Sequence, residues 1–275
     1  MILEKFNLEG KTALITGACG LLGNEHAIAL LELGATIVLT DIDEKILKVS
    51  KDNFKTLGYD DVVIKVMDVS SHENVEKVNE ELKNAGVEVD VLINNAAIDP
   101  KVKKNESFKD ESRLENFQLN DWDLQLNVGL KGAFICSKIF GYEMAKRNSG
   151  VILNIASDLS VFSPDQRLYE KDDKKREEQP VKPVTYSVIK HGLVGLTKYL
   201  STYWNEEGVR SNALSPGGVY NGQNENFVLK LEKLIPVGRM AKKDEYRSAI
   251  QFLCSDASAY LNGQNIVMDG GRSVW

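Results

Sequence analysis

Tyr186 and Lys190 stand four residues apart in a stretch with helical periodicity, so their side chains share one face, one turn apart. A tyrosine phenol titrates at about pH 10, too high for a base at neutral pH. An ammonium close by favours the phenolate and draws that pKa down towards working pH, which suits the pair to moving a proton on or off an oxygen. Ser157, just beyond the apolar run at 151–155, offers a hydroxyl that can donate to or accept from the same reacting oxygen. Taken singly, these residues have plainer uses: a packing aromatic, a surface charge, a turn residue at a strand end. Their meaning depends on what the surrounding elements bring together.

A second cluster sits far upstream. Residues 16–23 read TGACGLLG, directly after a short apolar run and directly before a helical pattern. Glycines in such a turn let the chain reverse sharply, let backbone N–H groups approach a pyrophosphate, and let the helix pack closely on its strand. Gly17, Gly20 and Gly23 would fill these places, with Cys19, Leu21 and Leu22 completing the turn. Asp41 closes the next predicted strand, where a carboxylate would hydrogen-bond the ribose hydroxyls of NAD and repel the extra phosphate of NADP. No Lys or Arg lies in the turn or beside Asp41 to reverse that preference, so NAD is expected over NADP. The plainer role for Asp41 or Asp43 is to cap the following helix, and both roles can coexist.

The elements that must position these residues follow a steady rhythm. Strands are predicted at 12–15, 36–40, 62–66, 89–93, 151–155, 209–214 and 264–268. Helices are predicted at about 24–33, 44–57, 74–85, 119–147 and 185–207. Strand and helix alternate with short connectors, which implies an α/β fold: a Rossmann-type, doubly wound parallel sheet in three α/β/α layers. No internal repeat or composition break divides the chain, so one domain over 1–275 is expected. Two polar segments, about 99–116 and 163–183, interrupt the rhythm. They are either solvated surface loops or the border of a substrate site.

Composition narrows the partners. A net charge of −6 argues against nucleic acid, which selects a basic face. Cys19, Cys136 and Cys254 form no paired motif, and His26, His72 and His191 have no metal-ligand spacing, so neither a disulfide framework nor a metal site is expected. No leader-like or membrane-length apolar run occurs, and a cytoplasmic location with no membrane partner is expected.

In order along the chain, these motifs resemble the short-chain dehydrogenase/reductase family. The glycine turn is followed by Asp68-Val69, then Asn94-Asn95-Ala96-Ala97, Asn127, Ser157, Tyr186 with Lys190, Pro216-Gly217-Gly218-Val219, and Met268-Asp269-Gly270-Gly271. The resemblance implies that Asn127, Ser157, Tyr186 and Lys190 form a catalytic tetrad, with Asn127 keeping a water in a proton relay from Lys190. It implies that Asp68 and Val69 hold an adenine ring, that Asn95 lies along a ribose, and that Val219 meets the nicotinamide carboxamide through its backbone. The implied activity is hydride exchange between a secondary alcohol and a nicotinamide cofactor. Two features depart from the compact branch of the family. Leu21 stands where a glycine is usual, giving GxxGxxG as in the longer sugar-nucleotide branch, and the interval from Ser157 to Tyr186 is long, with Ser160 or Ser163 as the alternative serine.

The finer details resemble dehydrogenases of flagellin modification and surface-polysaccharide synthesis, which implies a sugar or nucleotide-sugar substrate. Lys101, Lys103, Lys104 or Arg167 are candidate contacts for an anionic group on it. The resemblance also implies a homodimer or homotetramer built on the helices at 119–147 and 185–207. Two rival readings stand beside it. Gly20 allows an NAD-dependent dehydratase or epimerase, in which NAD turns over without net reduction, and a non-catalytic NAD-binding regulator is the other. Retention of all four tetrad residues speaks against the regulator.

Overall fold

The strands are short runs of β-branched and aliphatic residues, bounded by glycine or acidic residues. In the computed structural model, which describes residues 2–98 and 111–275, they are β1 (Thr12–Thr16), β2 (Thr36–Asp41), β3 (Val62–Val66), β4 (Val91–Asn94), β5 (Gly150–Ile155), β6 (Val209–Pro216) and β7 (Asn265–Met268). All pair in parallel, in the order β3-β2-β1-β4-β5-β6-β7. The order reverses between β1 and β4, and a crevice opens beyond the carboxyl ends of strands at such a point.

Alternation along the strands divides the core. On β1, Ala13 and Ile15 face one side with Leu30, Leu47, Phe54 and Ile250, while Leu14 faces the other with Val78, Phe140, Met144 and Leu200. The first face is covered by α1 (Gly23–Leu31), α2 (Glu44–Thr56) and α8 (Arg247–Cys254), the second by α3 (His72–Asn84), α5 (Gly132–Lys146) and α6 (Val184–Tyr203). The predicted doubly wound, three-layer fold is therefore the observed one.

Two differences from the expected elements matter, and one open alternative is resolved. The helix expected over 119–147 is α4 (Leu119–Leu126) and α5 joined by a π-helical turn at Asn127–Lys131, where the Gly132 N–H reaches back to the Asn127 carbonyl. Two helices, α7 (Glu225–Glu232) and α8, were not predicted between 214 and 264. The cap on α2 is Asp43, whose carboxylate accepts from the Lys45 and Ile46 N–H groups, so Asp41 is released from that role. Lys101, Lys103 and Lys104 lie outside the described residues. No helix among the described residues is long and apolar enough to cross a membrane.

Candidate active site

A cleft of about 650 Å³ lies at the carboxyl ends of the strands and collects most of the residues singled out above. Its walls include Gly17, Gly20, Leu21, Leu22, Asp41, Asp68, Val69 and Asn95 from the first half, and Ser157, Tyr186, Lys190 and Val219 from the second. Cys19, Gly23 and Asn127 are not on this lining. Cys19 is half-buried behind the turn, with burial pushing its thiol upward. Gly23 opens α1, and its lack of a side chain lets the helix sit against the Ala18 backbone. Asn127 begins the π-helical turn.

The glycine turn has the shape an anionic cofactor needs. Gly17 adopts a left-handed conformation (φ +57°), and a Cβ there would stand 2.7 Å from Ala96 Cα. The N-terminus of α1 has no side-chain cap, because Leu22 occupies that position. Its first N–H groups therefore keep donors available for a phosphate. Asp41 Oδ2 accepts from the Cys19 N–H at 3.2 Å, which ties the end of β2 to the turn. The Asn95 amide donates to the carbonyls of Thr16 and Gly17 (3.1 and 2.9 Å), so this side chain, just beyond β4, braces the turn. Asp68 accepts from the Ser70 N–H and hydroxyl, and the Val219 carbonyl accepts from Gln223 Nε2 at 2.8 Å.

Across the cleft, Tyr186 and Lys190 project from the first turns of α6. Lys190 is buried and donates to the Ile155 carbonyl at 2.7 Å, with its Nζ 5.7 Å from the Tyr186 ring centroid. A second ammonium, Lys182, lies 3.9 Å from the same centroid. Ser157 lines the cleft beyond β5, whereas the alternative serines do not. Ser160 is buried against Ser215 at 2.9 Å, and Ser163 is exposed.

Several contributors escaped sequence reasoning. The Ser157 hydroxyl donates to Asp158 (2.9 Å), and Asp158 pairs with Arg272 at 3.0 Å, both side chains buried. Burial pushes the Asp158 carboxyl up, against the opposing pull of Arg272 and the hydrogen bonds from Ser157 and Leu159. Leu168, Tyr169 and Lys182, from the polar stretch 163–183, also line the cleft, and Leu168 packs on Leu231 and Met240. Arg167, a candidate anion contact, is instead exposed and clasped by Asp165 at 2.8 and 2.7 Å. A short polar side chain immediately after Ser157, and an arginine immediately after the glycine pair, were the available signals.

Comparison with known proteins agrees with this geometry. A family model described as short chain dehydrogenase matches residues 11–169, and one described as Enoyl-(Acyl carrier protein) reductase matches residues 175–273. An NAD-dependent glycerol dehydrogenase of Listeria innocua is 30% identical, over 98% of this chain and 97% of its own. A D-threitol dehydrogenase of Mycolicibacterium smegmatis is 30% identical, over 98% and 95%. The crystal structure of a gluconate 5-dehydrogenase from Burkholderia cenocepacia, in complex with NADP and tartrate, superposes with a TM-score of 0.84 at 29% identity, covering 100% of both chains. With a parallel sheet that reverses at a glycine turn, and a family match over more than half its length, the chain belongs to the short-chain dehydrogenase/reductases and is a nicotinamide-dependent oxidoreductase acting on CH–OH groups.

Proposed function

We propose that the protein interconverts the secondary alcohol and ketone of a small polyol or sugar acid, using NAD in preference to NADP. The observation that carries this reading is one cleft lined by Tyr186, Lys190 and Ser157 on one wall and by the glycine turn and Asp41 on the other. The substrate class follows the relatives, whose names specify glycerol, D-threitol and gluconate. Residues 163–183 border this substrate through Leu168, Tyr169 and Lys182. The finer resemblance to surface-glycan enzymes is compatible with a polyhydroxylated ligand, and a nucleotide-linked sugar belongs among the compounds to be tried.

In this reading the turn from Gly17 to Gly23 holds the diphosphate, Asp41 the adenosine ribose, and Asp68 and Val69 the adenine. Val219 lies towards the nicotinamide. The cofactor, when bound, accepts or supplies the hydride. Tyr186 takes the hydroxyl proton of the alcohol, or returns it to the ketone oxygen. Lys190, fixed by the Ile155 carbonyl, lowers the cost of the phenolate. Ser157 holds the reacting oxygen against Tyr186. Asn127, at the π-helical turn, supports the proton path from Lys190.

The test is a spectrophotometric screen of glycerol, D-threitol, gluconate and a nucleotide-linked sugar, with NAD and with NADP, for wild type and Tyr186→Phe. Net NADH is expected from a polyol or sugar acid, with Tyr186→Phe slower by about 100-fold or more. Near-wild-type turnover by Tyr186→Phe would overturn the catalytic assignment. Conversion of the nucleotide-linked sugar without net NADH would favour the dehydratase or epimerase reading.

A further inference from the structure

The polar stretch between Ser157 and α6 brings one charge into the cleft. Lys182 is half-buried on the lining, and its Nζ stands 3.9 Å from the centroid of the Tyr186 ring. Its backbone is pinned on both sides. The Val181 N–H donates to Ser112 Oγ at 2.9 Å, the Lys182 N–H donates to Gln166 Oε1 at 2.8 Å, and Pro183 follows at the start of α6. A residue before proline is held to extended backbone, so a fixed segment delivers this ammonium to the tyrosine.

The other two cations on the lining are Lys190, which donates to the Ile155 carbonyl at 2.7 Å, and Arg272, paired with Asp158 at 3.0 Å. The lining carboxylates Asp41 and Asp68 stand at the end of β2 and just after β3, in the half that holds the glycine turn. Lys182 meets the face of an aromatic ring. Such a face attracts a cation but offers no lone pair to its three N–H donors, so a carboxylate is the stronger partner. The rest of what this stretch brings to the lining is apolar or aromatic: Leu168, packed on Leu231 and Met240, and Tyr169, whose ring lies 5.6 Å from that of Phe227. A charge in these surroundings is screened less than in open water.

We infer that Lys182 is a specificity-determining residue: its ammonium receives a carboxylate on the same ligand whose hydroxyl meets Tyr186, and so selects sugar acids over neutral polyols. The single charge of a carboxylate matches one ammonium, whereas the double charge of a phosphate would exceed it. This inference rests on the reading of the cleft as the site of a small polyol or sugar acid, and it decides between the two.

The test uses the full chain as wild type, Lys182→Gln, Lys182→Glu and Lys182→Arg, each first shown by nicotinamide fluorescence to bind NADH. Two matched pairs of compounds differ at one end, where a neutral group replaces a carboxylate: D-gluconate with D-gluconamide, and D-threonate with D-threitol. Calorimetry on the NADH complex, in which an alcohol is not oxidised, gives dissociation constants. With NAD, kcat/KM is measured for every compound that is converted. Wild type is expected to prefer the carboxylate by about tenfold or more in at least one pair, the worth of a hydrogen bond to a charged group. Lys182→Gln is expected to lose that preference, Lys182→Glu to reverse it, and Lys182→Arg to keep most of it. Equal affinity of wild type for both members of each pair overturns the inference, as does a preference that survives in Lys182→Gln. The ratio within a pair also separates selection from proton transfer. Were Lys182 only a second cation beside the Tyr186 phenolate, Lys182→Gln would slow both members alike and leave the ratio unchanged, which overturns the inference. Failure of the underlying reading looks different: wild type then binds neither member of either pair, and the substrate class falls together with this inference. Activity retained by Tyr186→Phe removes the catalytic assignment, while the binding preference still decides the role of Lys182.

Discussion

At the scale of single residues, Tyr186 is flanked by two ammonium groups, with Lys182 Nζ at 3.9 Å and Lys190 Nζ at 5.7 Å from its ring centroid. Lys190 is the nearer to the sheet, buried and fixed on Ile155, so it is the proposed partner of the phenolate. Asp41 is the residue on which cofactor choice rests. Its carboxylate is freed from helix capping by Asp43 and tied by one oxygen to the glycine turn. A phosphate brought within about 4 Å of it would meet a repulsion of about 1 kcal/mol in water and several times that in a less polar cleft. NAD is therefore expected to raise the melting temperature at lower concentration than NADP, by about tenfold or more, with Asp41→Ala narrowing the gap. Tighter binding of NADP by wild type, read in the same thermal-shift titration, would contradict this role.

At the scale of elements, the helix that carries Tyr186 and Lys190 is locked to the sheet by a buried polar ladder. Asn94 Nδ2 donates to Ser137 (3.0 Å) and Asn154 (2.9 Å), Asn154 Nδ2 donates to Thr197 (2.9 Å), and Thr197 donates to Leu193 (2.8 Å), which links β4, α5, β5 and α6. Asn154→Leu would leave polar partners unmet inside the core and is expected to destabilise the fold by about 1–3 kcal/mol, measurable by urea denaturation. An unchanged midpoint would show the ladder to be dispensable. Much of this scaffold is legible in the sequence, because β2 and β5 are largely β-branched and aliphatic runs, ending at Asp41 and near Ser157. The π-helical turn is not legible, since an i→i+5 bond leaves no mark on the apolar period around Asn127. Nor are α7 and α8 among the expected elements, each being only 8 residues long. Asn154 is visible as a polar residue in an apolar strand, but its partners are 60 and 43 positions away. The pairing of Asp158 with Arg272 spans 114 positions, and only the fold of the chain brings them together.

At the scale of the whole molecule, two properties follow from burial. His26, on α1, is fully buried, and desolvation lowers its pKa to about 3, with the Asn95 side chain only tempering the shift. Between about pH 6.5 and 3 the unfolded chain takes up a proton that the folded chain refuses. This contribution to stability is therefore full above about 6.5 and falls by about 1.4 kcal/mol for each pH unit below it. The drop in urea midpoint from pH 7 to pH 5 should be smaller in His26→Leu than in wild type, and equal drops would count against it. The second property is a set of exposed aromatics, Phe134 and Tyr142 on α5 and Tyr199 and Tyr203 on α6, each more than half accessible. Apolar surface of this kind marks an interaction site, and we propose that a second copy of the chain covers it. Sedimentation should give a dimer or tetramer that Phe134→Asp/Tyr199→Asp dissociates. A monomeric wild type would refute the assembly.

The most direct measurement of the proposed Tyr186–Lys190 chemistry is the pH dependence of kcat/KM for alcohol oxidation in wild type and Lys190→Met. Oxidation needs the phenolate, so wild-type activity is predicted to rise through an apparent pKa well below the value of about 10 for a free tyrosine. Without the Lys190 ammonium that limb is predicted to move up towards 10, with the rate at neutral pH falling accordingly. A limb that stays where it is in Lys190→Met would contradict the assignment of the proton transfer to this pair.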